Sequence, residues 1–193
     1  MVGLFFGSFN PIHVGHVALA KHVLEQLALE EIWFVVSPHN PLKQESSLID
    51  NDLRLQMVDL AIADEPKLKS CDVEFSMPVP SYTIDTLQTL QQNFPEKRFV
   101  LIIGADNLSV FPEWKSYEQL LADYSIAVYP REGFDLQALQ PLYPQVQVLD
   151  APLYPLSSTQ IRRLLKQHED ATAFLHPSVL QFIEDRKLYE IED

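Results

Sequence analysis

Two histidines, His13 and His16, stand three residues apart at the end of "FFGSFNPIHVGH" (5–16). This spacing places both imidazoles on one face of the first turn of a helix. Gly7 lets an anion approach the backbone of the preceding turn, and Gly15 leaves room for a ligand between the imidazoles. Because a helix N-terminus carries about half a positive charge, the stretch predicts a nucleotide phosphate site with imidazole donors.

Two other interpretations of the histidine pair are helix capping and zinc ligation. A lone histidine most often caps a helix or faces solvent. Zinc ligation is disfavoured because no third His, Cys or carboxylate has matching spacing, and the zinc pairs of metalloproteases are four residues apart with an adjacent Glu. We therefore predict no protein-held metal site. The motifs GxGxxG and GxxxxGK[ST] are absent, which excludes the commonest dinucleotide and P-loop signatures.

The elements that would position these histidines are apolar runs that alternate with helical patterns. Strands are predicted at 2–6, 31–37, 70–76, 98–106, 124–131 and 146–151. Helices are predicted at 15–28, 50–63, 81–94, 157–167 and 176–189, with Ser81 or Thr83 capping the third. This alternation predicts an α/β fold with a Rossmann-like, doubly wound parallel sheet. Helices should cover both faces, and C-terminal helices should close a single domain over 1–193.

Polar residues follow four of the predicted strands at the points where those strands end. Ligands of such folds lie beyond the carboxyl ends of the strands, so these residues should gather at one edge of the sheet. They are Gly7-Ser8, Ser37-Pro38-His39, Gly104-Ala105-Asp106 and Pro130-Arg131.

Composition and charge indicate which kinds of binding partner and which cellular compartment are expected for this chain. The chain has 14 Lys plus Arg against 27 Asp plus Glu, a net charge of −13. A surface that acidic argues against sequence-independent binding to nucleic acid or to an anionic membrane. No apolar run approaches the roughly 18 residues of a membrane helix, and the first residues are typical of a strand rather than a signal peptide. A single cysteine, Cys71, excludes an internal disulfide and suits a cytoplasmic protein. A homo-oligomer is left open.

Several motifs in order carry a family resemblance. "GSFNPIHVGH" resembles the first motif of the nucleotidylyltransferase superfamily, H/T-x-G-H after a Gly-rich turn, and "SSTQIR" (157–162) resembles its second. Between them lie "SPHNPLK" (37–43), "SYTIDTL" (81–87), "LIIGADN" (101–107) with Trp114, and "YPREG" (129–133). The ordered set resembles the bacterial nicotinate-nucleotide adenylyltransferase family.

The resemblance implies adenylyl transfer in NAD biosynthesis. ATP and nicotinate mononucleotide would give nicotinate adenine dinucleotide and pyrophosphate, with Mg²⁺ bound mainly through the ATP phosphates. The implied catalytic residues are His13, His16, Lys43 and Arg162. His16 would contact the α-phosphate region and His13 the β and γ phosphates. Arg162 also belongs to the implied ATP site, whose other residues are Gly7, Ser8, Phe9, Gly104, Asp106, Arg131, Ser157, Ser158 and Thr159.

The resemblance also implies a pocket for the second substrate. Its residues are Ser8, Phe9, Lys43, Tyr82, Thr83 and Trp114. Trp114 would supply an aromatic plane for the pyridine ring. Lys43 carries a weaker case, because the family more often has the lysine directly after the histidine, whereas three residues separate His39 from Lys43 here.

Structural roles compete with several of these assignments. Ser157 to Thr159 are ordinary helix caps by residue type. Asp106 could cap the following segment, Arg131 a strand end, and Trp114 could be a packed core residue. The turn also departs from the family's GGTFDP, with Phe6 in place of a Gly and Asn10 in place of Asp.

Two further functions are weighed against the leading one. Another phosphorylated acceptor, nicotinamide mononucleotide or phosphopantetheine, would use the same first and last motifs. "SYT" and "GADN" with the later Trp argue against phosphopantetheine. A non-catalytic nucleotide-binding regulator would be expected to have lost His13, His16 or Arg162, and all three are present.

Overall fold

The computed structural model describes residues 1–38 and 48–190. Within them, parallel strands form one six-stranded sheet in the order β3-β2-β1-β4-β5-β6. The strands are β1 (Val2–Gly7), β2 (Glu31–Val36), β3 (Leu68–Cys71), β4 (Phe99–Gly104), β5 (Ser125–Tyr129) and β6 (Gln147–Val148). The strand order reverses between β1 and β4, as in a doubly wound fold. The predicted α/β class and parallel sheet are confirmed.

Helices connect these strands and follow the last of them. They are α1 (Val14–Gln26), α2 (Asn51–Ala61), α3 (Thr83–Asn93), α4 (Ala105–Ser109), α5 (Tyr117–Asp123), α6 (Leu136–Leu139), α7 (Ser158–Lys166) and α8 (Pro177–Asp185). Short 3-10 turns lie at Val73–Ser76, Phe111–Glu113 and Gln140–Leu142. No helix in the described ranges has both the length and the apolar character needed to span a bilayer.

The core is divided by the sheet into two apolar layers. Side chains alternate along a strand, so β1 sends Phe5 into one layer and Leu4 into the other. The Phe5 layer is covered by α1, α2, α7 and α8, and the Leu4 layer by α3 and α5. Burial on both faces explains why the central strands are continuous apolar runs in the sequence.

Strand register brings the ends of the central strands to one edge of the sheet. Gly7, the last residue of β1, pairs with Val36 of β2, and Gly104 of β4 pairs with Tyr129 of β5. The segments after β1, β2, β4 and β5 therefore start side by side. These are the segments in which the sequence places its polar residues.

Three local predictions were wrong. The strand predicted at 70–76 ends at Cys71, and Val73–Ser76 forms a 3-10 turn that buries Glu74. The strand predicted to reach 106 ends at Gly104, where α4 begins. Neither Ser81 nor Thr83 caps α3: the N-cap is Tyr82, with no side-chain hydrogen bond, because the Ser81 hydroxyl donates to Glu74 instead.

Candidate active site

The turn between β1 and α1 is built around the buried ring of Phe9. Phe9 adopts a left-handed backbone conformation with φ of 45°, which is unfavourable for a residue with a side chain by about 1–2 kcal/mol. Its ring packs edge-on against Phe5 and Phe34, with ring centroids 6.0 and 5.4 Å away. A Cβ on Gly7 would lie 2.8 Å from the Phe9 ring. Gly7 therefore makes room for this ring as well as leaving its own backbone open to a ligand.

The two histidines stack on each other at the start of α1. Their ring centroids are 3.6 Å apart and nearly parallel, with 21° between the planes. His13 is the N-cap residue, and its backbone N–H donates to Nδ1 of His16 over 3.2 Å. A Cβ on Gly15 would lie 3.1 Å from Nδ1 of His13. Part of the room at Gly15 is thus used by the His13 ring, and Gly15 also lines a cavity beside that ring.

His13 is almost completely buried, with 5% of its surface exposed. Burial, with a smaller contribution from the nearby Arg131 charge, lowers the pKa of His13 from 6.5 to about 4. The imidazole is therefore neutral at pH 7, with one N–H donor and one acceptor nitrogen. Its Nδ1 is buried and lacks a hydrogen-bond partner among the described residues.

The second motif begins α7 and is bound to the first turn. Ser157 caps the helix in a reciprocal arrangement with Gln160, so its predicted capping role is confirmed. The Ser158 hydroxyl donates to the carbonyl of Pro11 over 2.9 Å. Arg162 donates to the carbonyl of Asn10 over 2.8 Å. Residues from the two ends of the chain are thus held in direct contact.

A cavity of about 590 Å³ lies between the β1–α1 turn and α7. Both histidines and the α7 residues line it together. Of the predicted ATP residues, it is lined by Gly7, Ser8, Phe9, His13, His16, Asp106, Arg131, Ser157, Ser158, Thr159 and Arg162. We refer to it as the phosphate cavity. Gly104 does not line the phosphate cavity, but it is in close contact with Asp106 and Arg131, which do.

Gly104 allows Asp106 and Arg131 to approach the end of β4. A Cβ on Gly104 would lie 2.2 Å from Oδ1 of Asp106 and 2.9 Å from Cγ of Arg131. These two side chains form an ion pair with 3.5 Å between Nε and Oδ1. Asp106 makes no capping hydrogen bond at the start of α4, so its alternative role as a helix cap is wrong.

A smaller cavity of about 170 Å³ adjoins the first one. Its lining includes four of the residues predicted to bind the second substrate: Ser8, Tyr82, Thr83 and Trp114. Gly7 and Ser8 line both cavities, so the two sites meet at the β1–α1 turn. We call this smaller cavity the ring pocket. Phe9 lines only the phosphate cavity, and its ring belongs to the core.

Trp114 combines the two roles that the sequence left open. Its ring packs against Phe111, with centroids 5.2 Å apart, and it also lines the ring pocket. Nε1 of Trp114 is buried and has no hydrogen-bond partner in the described residues. Lys43 and His39 lie outside the described residues, so their expected roles stay predictions.

Comparison with known proteins places this chain in a family. The model of the cytidylyltransferase-like family matches residues 4–164, a range that contains both histidines and Arg162. The chain belongs to the cytidylyltransferase-like family. Relatives of the chain include a probable nicotinate-nucleotide adenylyltransferase of Bacteroides fragilis, 49% identical over 94% of this chain and 90% of the relative. Another of that name, from Cytophaga hutchinsonii, is 46% identical over 97% of both chains.

Solved structures support the fold of this cytidylyltransferase-like chain. Nicotinic acid mononucleotide adenylyltransferase of Plasmodium falciparum, complexed with NaAD, superposes with a TM-score of 0.81. The alignment covers 97% of this chain and 96% of that one at 23% identity. The same Plasmodium protein complexed with APC gives a TM-score of 0.79 at 22% identity. The resemblance to nicotinate-nucleotide adenylyltransferases stated from the motifs is confirmed.

Sequence reasoning missed Arg54, which this family member buries completely beside the site. Arg54 lies on α2 and donates from Nη1 to the carbonyls of Ser8 and Ser37, the latter over 2.8 Å. It thereby ties the segment after β1 to the segment after β2. The available signal was its helical spacing with the buried Met57, Val58 and Ala61.

The charged residues of the ring pocket, Glu74, Glu113 and Lys115, were also missed. Lys115 lies 4.9 Å from the Tyr82 ring centroid and forms an ion pair with Asp85. Glu74 is buried in the same pocket. Across residues 1–38 and 48–190, no group of three or more His, Cys, Asp or Glu side chains is arranged to hold a metal ion.

Proposed function

We propose that this protein transfers the adenylyl group of ATP to nicotinate mononucleotide, forming nicotinate adenine dinucleotide and pyrophosphate in NAD biosynthesis. The observation that carries the proposal is the meeting of both motifs on one cavity. His13 and His16 from the first motif and Arg162 from the second line the phosphate cavity. The adjoining ring pocket, with Tyr82 and Trp114, offers a separate place for a flat ring. Relatives named as nicotinate-nucleotide adenylyltransferases support the same assignment.

The reaction requires positioning rather than a protein nucleophile. An oxygen of the mononucleotide 5′-phosphate attacks the α-phosphorus of ATP, and the bond from that phosphorus to the bridging oxygen of pyrophosphate breaks. The attacking phosphate is already ionised, so no general base has to remove a proton from it. Holding the two reactants in line can supply about 7–11 kcal/mol of the barrier. Hydrogen-bond donors that point at the charge developing in the transition state lower the barrier further.

The phosphate cavity contains donors suited to that charge. We assign His16 to the α-phosphate and His13 to the β and γ phosphates. Arg162 and the N-terminus of α7 would bind the leaving pyrophosphate, with Ser157, Ser158 and Thr159 contributing hydroxyls and backbone N–H groups. Arg162 is already fixed by its hydrogen bond to the carbonyl of Asn10, so little side-chain entropy is lost when a phosphate arrives. Lys43 is proposed as a further cation over the phosphates.

The remaining assignments concern the nucleoside portions. We assign Asp106 to the ribose hydroxyls of ATP and Arg131 to the adenine side of the same cavity. Tyr82, Thr83 and Trp114 would bind the nicotinate ring. The backbone N–H groups at the start of α3 receive no side-chain cap, which leaves donors for the ring carboxylate.

Nucleotidyltransferases generally use a divalent metal ion with ATP. We propose Mg²⁺, which prefers oxygen ligands and keeps several waters when it is bound through phosphates. The donor set of the phosphate cavity fits this mode, because imidazole, guanidinium and hydroxyl groups outnumber its carboxylates, Asp106 and Glu132. The ion would neutralise charge on the phosphate oxygens. The chain's own residues then have to orient the phosphates and exclude water.

We also propose that residues 1–193 act as one catalytic domain in the cytoplasm. The phosphate cavity is lined by residues from Phe5 to Arg162, which supports one unit over that part of the range. The free thiol of Cys71 is compatible with a reducing compartment.

A pyrophosphate-coupled assay across three acceptors tests the proposed function. Wild-type protein, ATP and Mg²⁺ are mixed with nicotinate mononucleotide, nicotinamide mononucleotide or phosphopantetheine. We expect the highest kcat/KM with nicotinate mononucleotide. Pyrophosphate release only with phosphopantetheine would contradict the assignment, and so would tight ATP binding without turnover of any acceptor.

A further inference from the structure

Glu74 is a buried carboxylate in the ring pocket that the reaction described above does not use. It lies in the 3-10 turn Val73–Ser76 and is 2% exposed. It lines the ring pocket together with Tyr82, Thr83 and Trp114. An acidic side chain is almost never fully buried unless a partner compensates its charge.

The partners of Glu74 in this structure are two neutral hydroxyl groups. Ser81 donates to Oε2 over 2.7 Å and Thr86 donates to Oε1 over 2.8 Å. Within the described residues, no Lys, Arg or His forms an ion pair with this carboxylate. Two hydroxyl donors satisfy hydrogen bonds but leave the negative charge without a counter-charge.

The other charged groups of the ring pocket do not supply that counter-charge. Lys115 reaches the pocket, but its ammonium is 2.7 and 2.9 Å from the two carboxylate oxygens of Asp85. Its charge is therefore already paired. Glu113 also lines the pocket, is exposed, and adds a second negative charge at its rim. The ring pocket is thus a small, partly aromatic space with an excess of negative charge.

We propose that Glu74 is a specificity-determining residue that recognises the fixed positive charge of a pyridinium ring. This inference rests on the proposed function and goes further, since it states which property of the acceptor the pocket selects. In a pyridine mononucleotide the ring nitrogen is bonded to ribose and carries a permanent positive charge. A buried carboxylate attracts such a charge much more strongly than an exposed one.

The aromatic residues of the ring pocket point to the same ligand class. Tyr82 and Trp114 line the ring pocket, and aromatic rings attract cations as well as flat rings. An acceptor without a cationic group, such as phosphopantetheine, would leave Glu74 uncompensated and shielded from water. A site with a buried polar group discriminates against such a ligand more sharply than an apolar pocket does.

A purely structural role for Glu74 is the alternative that the test must exclude. The carboxylate also links the 3-10 turn to Ser81 and Thr86, and so braces the start of α3. Replacing Glu74 by Gln preserves the shape and the capacity to bond both hydroxyls, but removes the charge. A structural role predicts equal effects on every acceptor, whereas charge recognition predicts an effect confined to cationic ones.

The experiment compares two acceptors that differ in ring charge. One is nicotinate mononucleotide, and the other is its 1,4-dihydro form, which has the same carboxylate, ribose and phosphate on a neutral ring. At saturating ATP we expect wild-type protein to prefer the cationic acceptor at least tenfold in kcat/KM. For Glu74→Gln we expect a roughly tenfold higher KM for the cationic acceptor, equivalent to about 1.4 kcal/mol. The KM for ATP and for the neutral acceptor should change less than about threefold.

Asp72→Asn is the matched control, because Asp72 is an exposed carboxylate two residues away that makes no side-chain cap. It should leave the preference unchanged. Equal losses on both acceptors in Glu74→Gln would overturn this inference alone. Equal kcat/KM of wild-type protein for the two acceptors would also overturn it, whether or not the variants fold. No pyrophosphate from nicotinate mononucleotide with wild-type protein would instead overturn the proposed function.

Discussion

The buried imidazole of His13 makes the stability of the unliganded protein depend on pH. Its pKa is about 4 in the folded protein and 6.5 as the ordinary value. Between these pH values the unfolded chain binds a proton at His13 and the folded chain does not. The contribution of neutral His13 to the free energy of unfolding is therefore fully present above pH 6.5 and is lost as the pH falls towards 4. Since each pKa unit is worth about 1.4 kcal/mol, the full loss is roughly 3 kcal/mol, of which about 2 kcal/mol has occurred by pH 5.

The assay compares wild-type protein with His13→Gln, in which this titration is removed. Urea unfolding at pH values from 7 to 4, followed by tryptophan fluorescence, gives the free energy of unfolding of both proteins. Carboxylates titrate in both, so their contribution cancels in the difference. We expect the stability of wild-type protein to fall by about 3 kcal/mol more than that of the variant over this interval. The His13 ring resonances in an NMR titration give the pKa directly.

Two results would refute the reasoning about His13. One is an NMR pKa near 6.5, and the other is a stability difference between the proteins that does not change with pH. Bound ATP should raise the pKa of His13, because a triphosphate beside the ring favours the imidazolium. Calorimetry of ATP binding at pH 6 in two buffers of different ionisation enthalpy should then show proton uptake in wild-type protein and less in His13→Gln.

Three further substitutions test other parts of the site. His16→Ala should lower the kcat of pyrophosphate release about 100-fold or more and lower the free energy of unfolding by only about 1 kcal/mol; nearly intact turnover would remove His16 from the proposed mechanism. Gly104→Ala should raise the KM for ATP at least about tenfold, since displacing Asp106 by about 1 Å is costly to positioning; an unchanged KM in a folded variant would contradict this. Arg54→Met leaves the carbonyl of Ser8 without its donor and should lower the free energy of unfolding by at least about 2 kcal/mol, measured by urea unfolding; a loss below about 0.5 kcal/mol would show that the buried guanidinium contributes little.

The parallel sheet could be predicted because its strands are short apolar runs between clear helical patterns. β4 lies in the most apolar segment of the chain, and all of its residues are buried. The segment 70–76 failed because "SCDVEFS" alternates like a strand but forms a 3-10 turn after Cys71. In this turn Glu74 accepts hydrogen bonds from Ser81 and Thr86, which lie 7 and 12 residues further along the chain, and no local pattern contains that information.

The candidate site was predictable where residue type and motif order agree. His13, His16 and Arg162 were selected from the sequence, and the structure brings all three to one cavity. Arg54 and Glu74 were not selected, because a charged residue within an otherwise ordinary helix or strand pattern is usually exposed. Their burial becomes visible only in three dimensions.

The roles of two glycines in the β1–α1 turn and the start of α1 were only partly predicted. Gly7 and Gly15 were expected to make way for a ligand; both line the phosphate cavity, and their missing Cβ atoms also make way for the rings of Phe9 and His13. Such steric needs arise between a residue and its near neighbours after folding. Sequence spacing indicates that a glycine is needed, but not which group fills the space.

Asn10 is contacted by residues that are synthesised much later than itself. Arg162 donates to its carbonyl and Tyr189 donates to its Oδ1 over 2.8 Å. While a ribosome is still making the middle of the chain, the first motif has neither of these supports. The contacts of Asn10 are therefore complete only after Tyr189 has been synthesised, and a product that stops before α7 would contain both histidines but lack Arg162.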